Sequence, residues 1–250
     1  MKTEVIHLEE TASTNDYLRA MPTPQPDGMT VAVARHQTAG RGQGTNTWES
    51  EAGKNLLFSI LTHPVGVDIM QQFVLSMAGA LALKDAIDGY CDGISLKWPN
   101  DIYWRDRKIS GTLIETSVRG KGIERCIYGI GLNVNQRTFR SDAPNPVSLV
   151  NIIGREVNTD VLLDGILCRF AHWYALAFSP DGVSQIVDGY NKCLYRREGM
   201  HPYEDVAEGR RFLARIDHVG TDGRLRLTDE SGRSVSYTLK EVRFVCNDAR

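Results

Sequence analysis

A stretch near the middle of the chain decides the fold, because apolar side chains alternate there on both sides of a charged turn. It reads Lys97-Trp98-Pro99-Asn100-Asp101-Ile102-Tyr103-Trp104, then Arg105-Asp106-Arg107, then Lys108-Ile109-Ser110-Gly111-Thr112-Leu113-Ile114-Glu115. Period-two spacing around a short polar break predicts a β-hairpin. Because proline cannot donate a ladder hydrogen bond, we expect the first strand to bend or to lie at a sheet edge near Pro99.

This hairpin carries an unusual number of side chains that could take part in binding or catalysis. Lysine is seldom buried unless it is paired, and a glycine within a strand marks the close approach of a ligand or another backbone. Lys97 and Lys108, with Gly111 nearby, therefore predict a cationic floor for a phosphate or a carboxylate. The alternative is a pair of solvated lysines at strand ends.

A second candidate is the glycine-rich loop that follows a β-rich run at residues 29–37. It reads Thr38-Ala39-Gly40-Arg41-Gly42-Gln43-Gly44-Thr45-Asn46-Thr47-Trp48. Such loops expose backbone N–H groups and let the main chain approach an anion closely. The loop lacks the Gly-Lys-Ser/Thr ending of a P-loop, and Thr45 breaks the dinucleotide fingerprint. It is an anion-binding loop or a flexible surface loop.

The remaining pattern predicts helices around a sheet. A strand is expected at residues 5–8 and another at 55–63, and residues 123–134 should complete an antiparallel meander with the central hairpin. Asp68 should cap an amphipathic helix that runs to about Tyr90, and Thr159 should cap a second that runs to Phe178. Core positions of the first helix are expected to be Met70, Phe73, Val74, Met77 and Leu81.

The sequence becomes rich in charged residues and loses its regular apolar pattern at residues 196–210, which marks a domain boundary. We therefore divide the chain into a main domain at 1–198 and a small unit at 199–250. Short alternating strands with glycine turns predict a small β-barrel in the second unit. About 50 residues is near the lower limit for independent stability, so this unit should lean on the main domain.

Composition indicates an ordinary globular chain. Its 250 residues are 42% hydrophobic and 24% charged, with a net charge of −2, so no basic field points to nucleic acid. The first residues lack a signal core, and no run is long enough for a membrane span. The cysteines are scattered and odd in number, which fits a reduced, cytoplasmic protein without a disulfide framework or zinc site.

Taken in order, four motifs resemble the signature of biotin–protein ligases. They are Gly40-Arg41-Gly42 with Trp48, then Lys97-Trp98-Pro99-Asn100-Asp101, then Lys108-Ile109-Ser110-Gly111, and then Gly129-Ile130-Gly131-Leu132-Asn133. The resemblance extends from Ser13-Thr14-Asn15 to the carboxy-terminal unit. It implies an α+β fold of the biotin–lipoate ligase type, related to class II synthetases: a mixed, mostly antiparallel sheet with flanking helices, followed by an SH3-like β-barrel.

The resemblance also implies the chemistry. Biotin and ATP would be the substrates, with Mg²⁺, and the products would be biotinyl-5'-AMP and pyrophosphate before transfer to a lysine of a biotin carboxyl carrier domain. Lys108 and Arg41 match catalytic positions. The positions that match biotin contacts are Ser13, Thr14, Asn15, Gln37, Gly40, Arg41, Gly42, Gln43, Lys108, Gly111, Gly129 and Gly131. The positions that match contacts to ATP or the adenylate are Arg41, Trp48, Lys97, Asn100, Asp101, Lys108 and Asn133.

Some expectations concern the role of a single residue. Asp101 is expected to contact Mg²⁺ through the nucleotide phosphates, the alternative being a cap at a strand turn. Trp48 is expected to cover the intermediate once the loop is ordered. Gln43 and Asn46 stand where many family members have arginines, so we expect the adenylate to be held more loosely.

Two further interpretations of the function remain open. One is a lipoate–protein ligase or octanoyltransferase, which shares the fold; the other is a non-catalytic sensor of biotin or nucleotide.

Some family members are also repressors with an amino-terminal winged helix-turn-helix. The chain begins almost at the catalytic motif, so we expect no DNA binding. A homodimer paired through sheet edges is a further expectation.

Overall fold

The computed structural model describes residues 1–21, 28–141 and 145–245. Its strands are β1 (Lys2–Thr11), β2 (Gly28–Gln37), β3 (Leu56–Thr62), β4 (Ile94–Lys97), β5 (Asp101–Trp104), β6 (Arg107–Arg119), β7 (Gly122–Leu132), β8 (His201–Asp205), β9 (Arg210–Val219), β10 (Leu225–Asp229), β11 (Ser234–Tyr237) and β12 (Val242–Phe244). Its helices are α1 (Thr14–Ala20), α2 (Gln72–Ile87), α3 (Leu149–Ile153), α4 (Thr159–Leu176) and α5 (Pro180–Lys192). Expectations for residues 22–27, Pro144 and Cys246 lie outside the described residues.

The first seven strands form one sheet in the order β1-β2-β3-β7-β6-β5-β4. Only β1 and β2 are parallel, with Lys2 paired to Gly28, and every other pair is antiparallel. The meander predicted from the alternating pattern is present, because β4 to β7 are neighbours in chain order. The sheet is therefore mixed and mostly antiparallel, as expected.

The expected hairpin is confirmed, but its first arm is split into two strands. Residues 98–100 turn the chain between β4 and β5, with a cis peptide bond between Trp98 and Pro99. The edge position expected near Pro99 is also found, since β4 is the last strand of the sheet. That edge is covered: Leu96 donates its N–H to Cys193 and accepts from the N–H of Tyr195.

Four expectations about the helices were wrong. Helix α2 is buried around most of its circumference, because the sheet lies on one side and α4 and α5 pack on the other. Met70, expected in the core, lies in a 3-10 turn before the helix and is 72% exposed. Asn158, not Thr159, caps α4, since its side chain accepts from the backbone N–H of Asp160 and Val161. Phe178 lies past the end of that helix and is 46% exposed.

The last five strands form a separate antiparallel sheet in the order β11-β10-β9-β8-β12. Strand β8 falls inside the segment that sequence alone described as irregular. The sheet begins at His201, and the division at residue 199 stays a prediction. As expected for so small a unit, it packs on the main domain: the side-chain N–H of Trp98 donates to the carbonyl of Gly223 at 2.9 Å. None of the helices in the described ranges is long and apolar enough to cross a membrane.

Candidate active site

A cavity of about 330 Å³ opens where β6 and β7 meet the glycine loop and the second sheet. That volume lies at the lower end of the range for small-molecule sites. The cavity is lined by most of the residues that the motifs predicted, namely Ser13, Thr14, Asn15, Gln37, Arg41, Gly42, Gln43, Trp48, Lys97, Asn100, Asp101, Lys108, Gly111, Gly129 and Gly131. The fold thus brings four separated motifs to one place.

Lys108 lies in the wall of this cavity as an ion-paired lysine rather than a solvated one. Its ammonium is 2.7 Å from Oδ1 of Asp101, and its side chain is only 30% exposed. The same ammonium lies 5.8 Å from the ring centroid of Trp48. Strand β6 places Lys108 and strand β5 begins with Asp101, so the pairing of these strands fixes the contact.

Lys97 supplies a second cation from the end of β4. Its ammonium donates to the hydroxyl of Tyr103 at 3.0 Å and lies 4.6 Å from the centroid of that ring. It also lies 5.5 Å from the ring of Phe244, which belongs to the second sheet. Both lysines line the cavity, and an aromatic face orients Lys97. Lys108 is paired with Asp101, and the binding of an anion on this cationic floor stays a prediction.

A buried polar network forms the opposite end of the cavity. Gln37 Oε1 accepts from the backbone N–H of Thr14 at 2.8 Å and lies 3.1 Å from its hydroxyl. Ser59, fully buried on β3, contacts the hydroxyl of Thr14 at 2.7 Å and Oδ1 of Asn15 at 2.6 Å. Ser13, at the N-cap position of α1, makes no capping hydrogen bond with its side chain. Sequence reasoning missed Ser59, although a lone serine in an apolar strand was the available signal.

The glycine loop is folded into a small hairpin over the sheet. The N–H of Gly42 donates to the carbonyl of Asn46 at 2.7 Å, and the N–H of Trp48 donates to Gly40 at 3.0 Å. The indole of Trp48 packs on β6 and β7, where a Cβ built on Gly131 would lie 2.3 Å from Cε2 of the indole. The indole N–H is buried without a hydrogen-bond partner among the described residues. An unsatisfied buried donor beside the cationic floor is a candidate ligand contact.

Three glycines were expected to leave room for a ligand ring and tail; all three line the cavity, and the expectation stays a prediction. A Cβ on Gly129 would lie 2.2 Å from Oδ1 of Asn15, and one on Gly111 would lie 3.1 Å from the ammonium of Lys108. Gly131 makes room for the indole of Trp48. In this structure these glycines allow protein side chains to approach the strands and so shape the wall of the cavity.

Arg41 was expected to meet a phosphate, but in this structure it is bound to carboxylates. Its Nη2 lies 2.8 Å from Oδ1 of Asp16 and 3.6 Å from Oε2 of Glu115. Both carboxylates also pair with Arg19. The guanidinium therefore anchors the base of the glycine loop while its side chain still lines the cavity.

Two predicted contact residues do not line the cavity. Gly40 serves the loop hairpin through its carbonyl. Asn133 is buried, and its side-chain N–H donates to the carbonyl of Val147 at 3.1 Å. Its Oδ1 has no partner among the described residues.

The second sheet contributes a wall that no motif signalled. Its lining residues are Leu239, Lys240, Val242, Arg243 and Phe244. The ammonium of Lys240 lies 3.9 Å from the position of a Cβ on Gly44, at the tip of the glycine loop. These contacts were missed because they join residues about 200 positions apart.

Glu49 links the end of the glycine loop to the segment after Asn133. Its carboxylate accepts from the backbone N–H of Arg140 at 2.9 Å and of Ser141 at 2.7 Å. Partial burial acts to raise the pKa of Glu49, but hydrogen bonds from Ser141 and Arg140 outweigh it and lower the pKa below its ordinary value. Glu49 therefore stays ionised while it holds the two segments together.

Asp101 is the carboxylate that the described lining of the cavity offers to the predicted magnesium ion. No group of three metal-binding side chains occurs among the described residues. The carboxylate expected to meet Mg²⁺ is Asp101, which is paired with Lys108. Mg²⁺ commonly binds through one or two carboxylates plus substrate phosphates, and this arrangement leaves Asp101 as the carboxylate that would hold it.

Comparison with known proteins shows the class to which this fold and site belong. The model described as the biotin/lipoate A/B protein ligase family matches residues 8–133, which is half of the chain. The chain belongs to this family, and the prediction made from the four motifs is confirmed.

Individual relatives narrow the comparison. The chain is 33% identical over 175 residues to the biotin–[acetyl-CoA-carboxylase] ligase of Paracoccus denitrificans, covering 67% of this chain and 72% of that protein. It is 29% identical over 186 residues to the bifunctional ligase/repressor BirA of Bacillus spizizenii, covering 70% of this chain and 56% of that protein. The biotin protein ligase from Aquifex aeolicus, solved with biotin and ATP, aligns with a TM-score of 0.78 and 24% identity over 97% of this chain and 99% of its own. That likeness confirms the α+β fold with its second, carboxy-terminal sheet.

Proposed function

We propose that this protein is a biotin–protein ligase that activates biotin with ATP and transfers it to a lysine of a biotin carboxyl carrier domain. The observation that carries the proposal is the position of Lys108, a partly buried cation in a cavity whose other walls are the glycine loop and the Thr14–Asn15 network. The membership of the family and the names of the relatives above support the same chemistry.

In the first step the carboxylate oxygen of biotin attacks the α-phosphorus of ATP. A bond forms between that oxygen and phosphorus, the bond to the β-phosphate oxygen breaks, and pyrophosphate leaves. Two anions must approach each other, so the barrier falls when fixed cations are placed where negative charge develops. We assign this role to Lys108, with Lys97 as the second cation. Asp101 would hold Mg²⁺, which would supply further charge neutralisation.

In the second step the neutral amine of the acceptor lysine attacks the carbonyl carbon of biotinyl-5'-AMP. An amide forms, AMP leaves, and the amine loses a proton. No protein nucleophile is required, because positioning and exclusion of water carry much of the rate enhancement. Trp48 and the folded glycine loop would shield the mixed anhydride. Ser13, Thr14, Asn15 and Gln37 are assigned to the ureido end, where unpaired buried partners penalise analogues that lack the group.

The cellular setting and assembly are also proposals. The acceptor would be a subunit of acetyl-CoA carboxylase, as the name of the Paracoccus relative implies. Cys91, Cys126, Cys168 and Cys193 are free thiols, which fits a reducing cytoplasm. For a homodimer we propose the edge of β1, because the opposite edge of the sheet is covered by residues 193–195.

The direct test is release of pyrophosphate from ATP with biotin, lipoate or octanoate, with and without a carrier domain. Biotin-dependent release, followed by a carrier domain gaining the mass of biotin, is the expected result. Release that requires lipoate or octanoate would move the protein to the lipoate branch of the family. Tight binding of biotin without pyrophosphate release would show a sensor and contradict the proposal.

A further inference from the structure

Glu115 joins two walls of the cavity through a single carboxylate oxygen. Its Oε2 accepts from the side-chain N–H of Asn15 at 2.7 Å and lies 3.6 Å from Nη2 of Arg41. The same oxygen pairs with Arg19. Asn15 belongs to the buried network at one end of the cavity, and Arg41 belongs to the glycine loop.

The Asn15 side chain has little freedom to reorient independently. Its Oδ1 faces Ser59 at 2.6 Å, and its amide N–H groups face Glu115 and, at 3.4 Å, the carbonyl of Leu113. The residue is buried, and the absence of a Cβ on Gly129 is what admits its side chain. A displacement of the Glu115 carboxylate therefore acts on the position of Asn15.

On the side of the glycine loop, Glu115 belongs to a cluster of opposite charges that also contains Asp16, Arg19 and Arg41. Asp16 and Glu115 hold Arg41, and Arg19 screens the two carboxylates from each other. The Glu115 side chain is the less exposed carboxylate, at 28% against 44% for Asp16. Among the described residues, no hydrogen bond joins the side chain of Asp16 to that of Asn15, so Glu115 is the side chain that connects the cluster to the side chains of the buried network.

We propose that Glu115 is a positioning residue that couples the Asn15 wall to the glycine loop, so that a ligand engaged at Asn15 is also held by the loop anchored at Arg41. The inference rests on the proposed function and deepens it. Glu115 is not among the residues that line the cavity, and it acts through Asn15 and Arg41.

The substitutions at Glu115 separate its contact with Asn15 from its ion pairs with Arg41 and Arg19. Glu115→Gln keeps an acceptor oxygen for Asn15 but removes the charge that pairs with the two arginines. Glu115→Ala removes all three contacts. Arg41→Met removes the loop partner of both Glu115 and Asp16, and Asp16→Asn weakens the loop anchor while the hydrogen bond between Glu115 and Asn15 stays in place. Glu124→Gln is the matched control, because Glu124 pairs with Arg119 at the far end of the β6–β7 hairpin and should leave every value unchanged.

The measurements are the dissociation rates of biotin and of biotinyl-5'-AMP from each folded variant. Losing one ion pair between partly exposed side chains corresponds to a change of up to about fivefold in rate. Glu115→Gln and Asp16→Asn should each release the adenylate up to about fivefold faster, while biotin dissociates at nearly the wild-type rate. Arg41→Met should accelerate adenylate release more, because it removes both contacts of the loop anchor. Glu115→Ala should accelerate both ligands.

A double-mutant cycle tests the coupling without depending on any one variant. Because Glu115 and Arg41 act on each other, the double variant Glu115→Gln/Arg41→Met should release the adenylate no faster than the more affected single variant. Additive effects of the two changes would overturn the proposal, and so would wild-type release of biotin from Glu115→Ala.

A readout without ligand distinguishes failure of this inference from failure of the proposed function. Trypsin should cut after Arg41 faster in Glu115→Gln than in the wild type or Glu124→Gln, whether or not the protein activates biotin. Equal cleavage rates would contradict the anchoring role of Glu115. A wild type that neither binds biotin nor releases pyrophosphate would contradict the proposed function alone.

Discussion

The indole N–H of Trp98 donates to the carbonyl oxygen of Gly223 at 2.9 Å, which joins the signature motif to a turn of the second sheet. Trp98 is buried, and Gly223 lies so close to Phe73 that an added Cβ would approach the ring to 2.6 Å. This contact places the second sheet over the cavity. Trp98 is thus a structural link between the two sheets as well as a lining residue.

Trp98→Phe should weaken that link. The change leaves the buried carbonyl of Gly223 without its donor and should cost about 1–3 kcal/mol of the free energy of unfolding. We expect a lower midpoint in a denaturant titration and weaker binding of ATP, because Lys240 and Phe244 lose their fixed position. Unchanged stability together with unchanged ATP affinity would contradict the role of Trp98.

Gly131→Ala should displace the indole of Trp48. The added methyl group cannot coexist with the present indole position, since the two would be 2.3 Å apart. Misplacing a group at the site by about 1 Å costs up to about 100-fold in rate. We expect a loss of that order in adenylate formation and a red shift of tryptophan fluorescence. Gly122→Ala is the control on the same strand, because nothing lies closer than 3.9 Å to its built Cβ.

Acid should detach the segment at residues 140–141 from the glycine loop. The pKa of Glu49 is lowered in the folded protein, so its contribution is fully present above the ordinary glutamate pKa of about 4.3 and is lost as the pH falls through the lowered value. Hydrogen-exchange protection of the amides of Arg140 and Ser141 should therefore decrease below about pH 4.3. In Glu49→Gln that protection should not change over this pH range, because the amide does not titrate; protection that follows the wild-type curve would contradict the assignment.

Gln43→Arg should slow the release of biotinyl-5'-AMP. Gln43 lines the cavity from the glycine loop, at a position where the resemblance predicted an arginine. A charge-assisted hydrogen bond contributes about 1.5–3 kcal/mol, which corresponds to a retention time about ten- to 100-fold longer. Gln43→Lys is a useful comparison, because it adds the same charge without the planar donor geometry of arginine. An unchanged retention time in Gln43→Arg would show that the loop does not hold the adenylate through this position.

Sequence alone predicted the parts of the fold that local patterns determine. Alternating apolar residues identified β5, β6 and β7 with their order, and the glycine loop was recognised as a unit. Helix α2 was misread because its hydrophobic pattern was assumed to face one layer, whereas α4 and α5 cover its other side. A helix that packs against other elements on two sides needs apolar residues around its whole circumference. A single sequence does not reveal that a second layer of helices packs on it.

The residues of the candidate site also divide into those that local patterns predict and those that only the fold reveals. Residues within motifs, such as Lys108 and Trp48, were placed in one cavity as expected. Ser59 and Glu115 were missed because each acts by contacting another residue far away in the sequence, and neither lies in a functional position of a motif. Arg41 was assigned to a phosphate because its charge was visible in the sequence, while its carboxylate partners became visible only in the fold.

The most direct test of the proposed chemistry is biotin-dependent release of pyrophosphate by the wild type and by Lys108→Ala. Removing a fixed charge that stabilises a transition state costs about 100- to 1,000-fold in rate. Because Lys108→Ala leaves Asp101 unpaired, the double variant Lys108→Ala/Asp101→Asn should be measured beside it. We predict that both variants fold and that both lose release by that order of magnitude. Release at the wild-type rate from folded Lys108→Ala would contradict the assignment of this lysine to the activation of biotin.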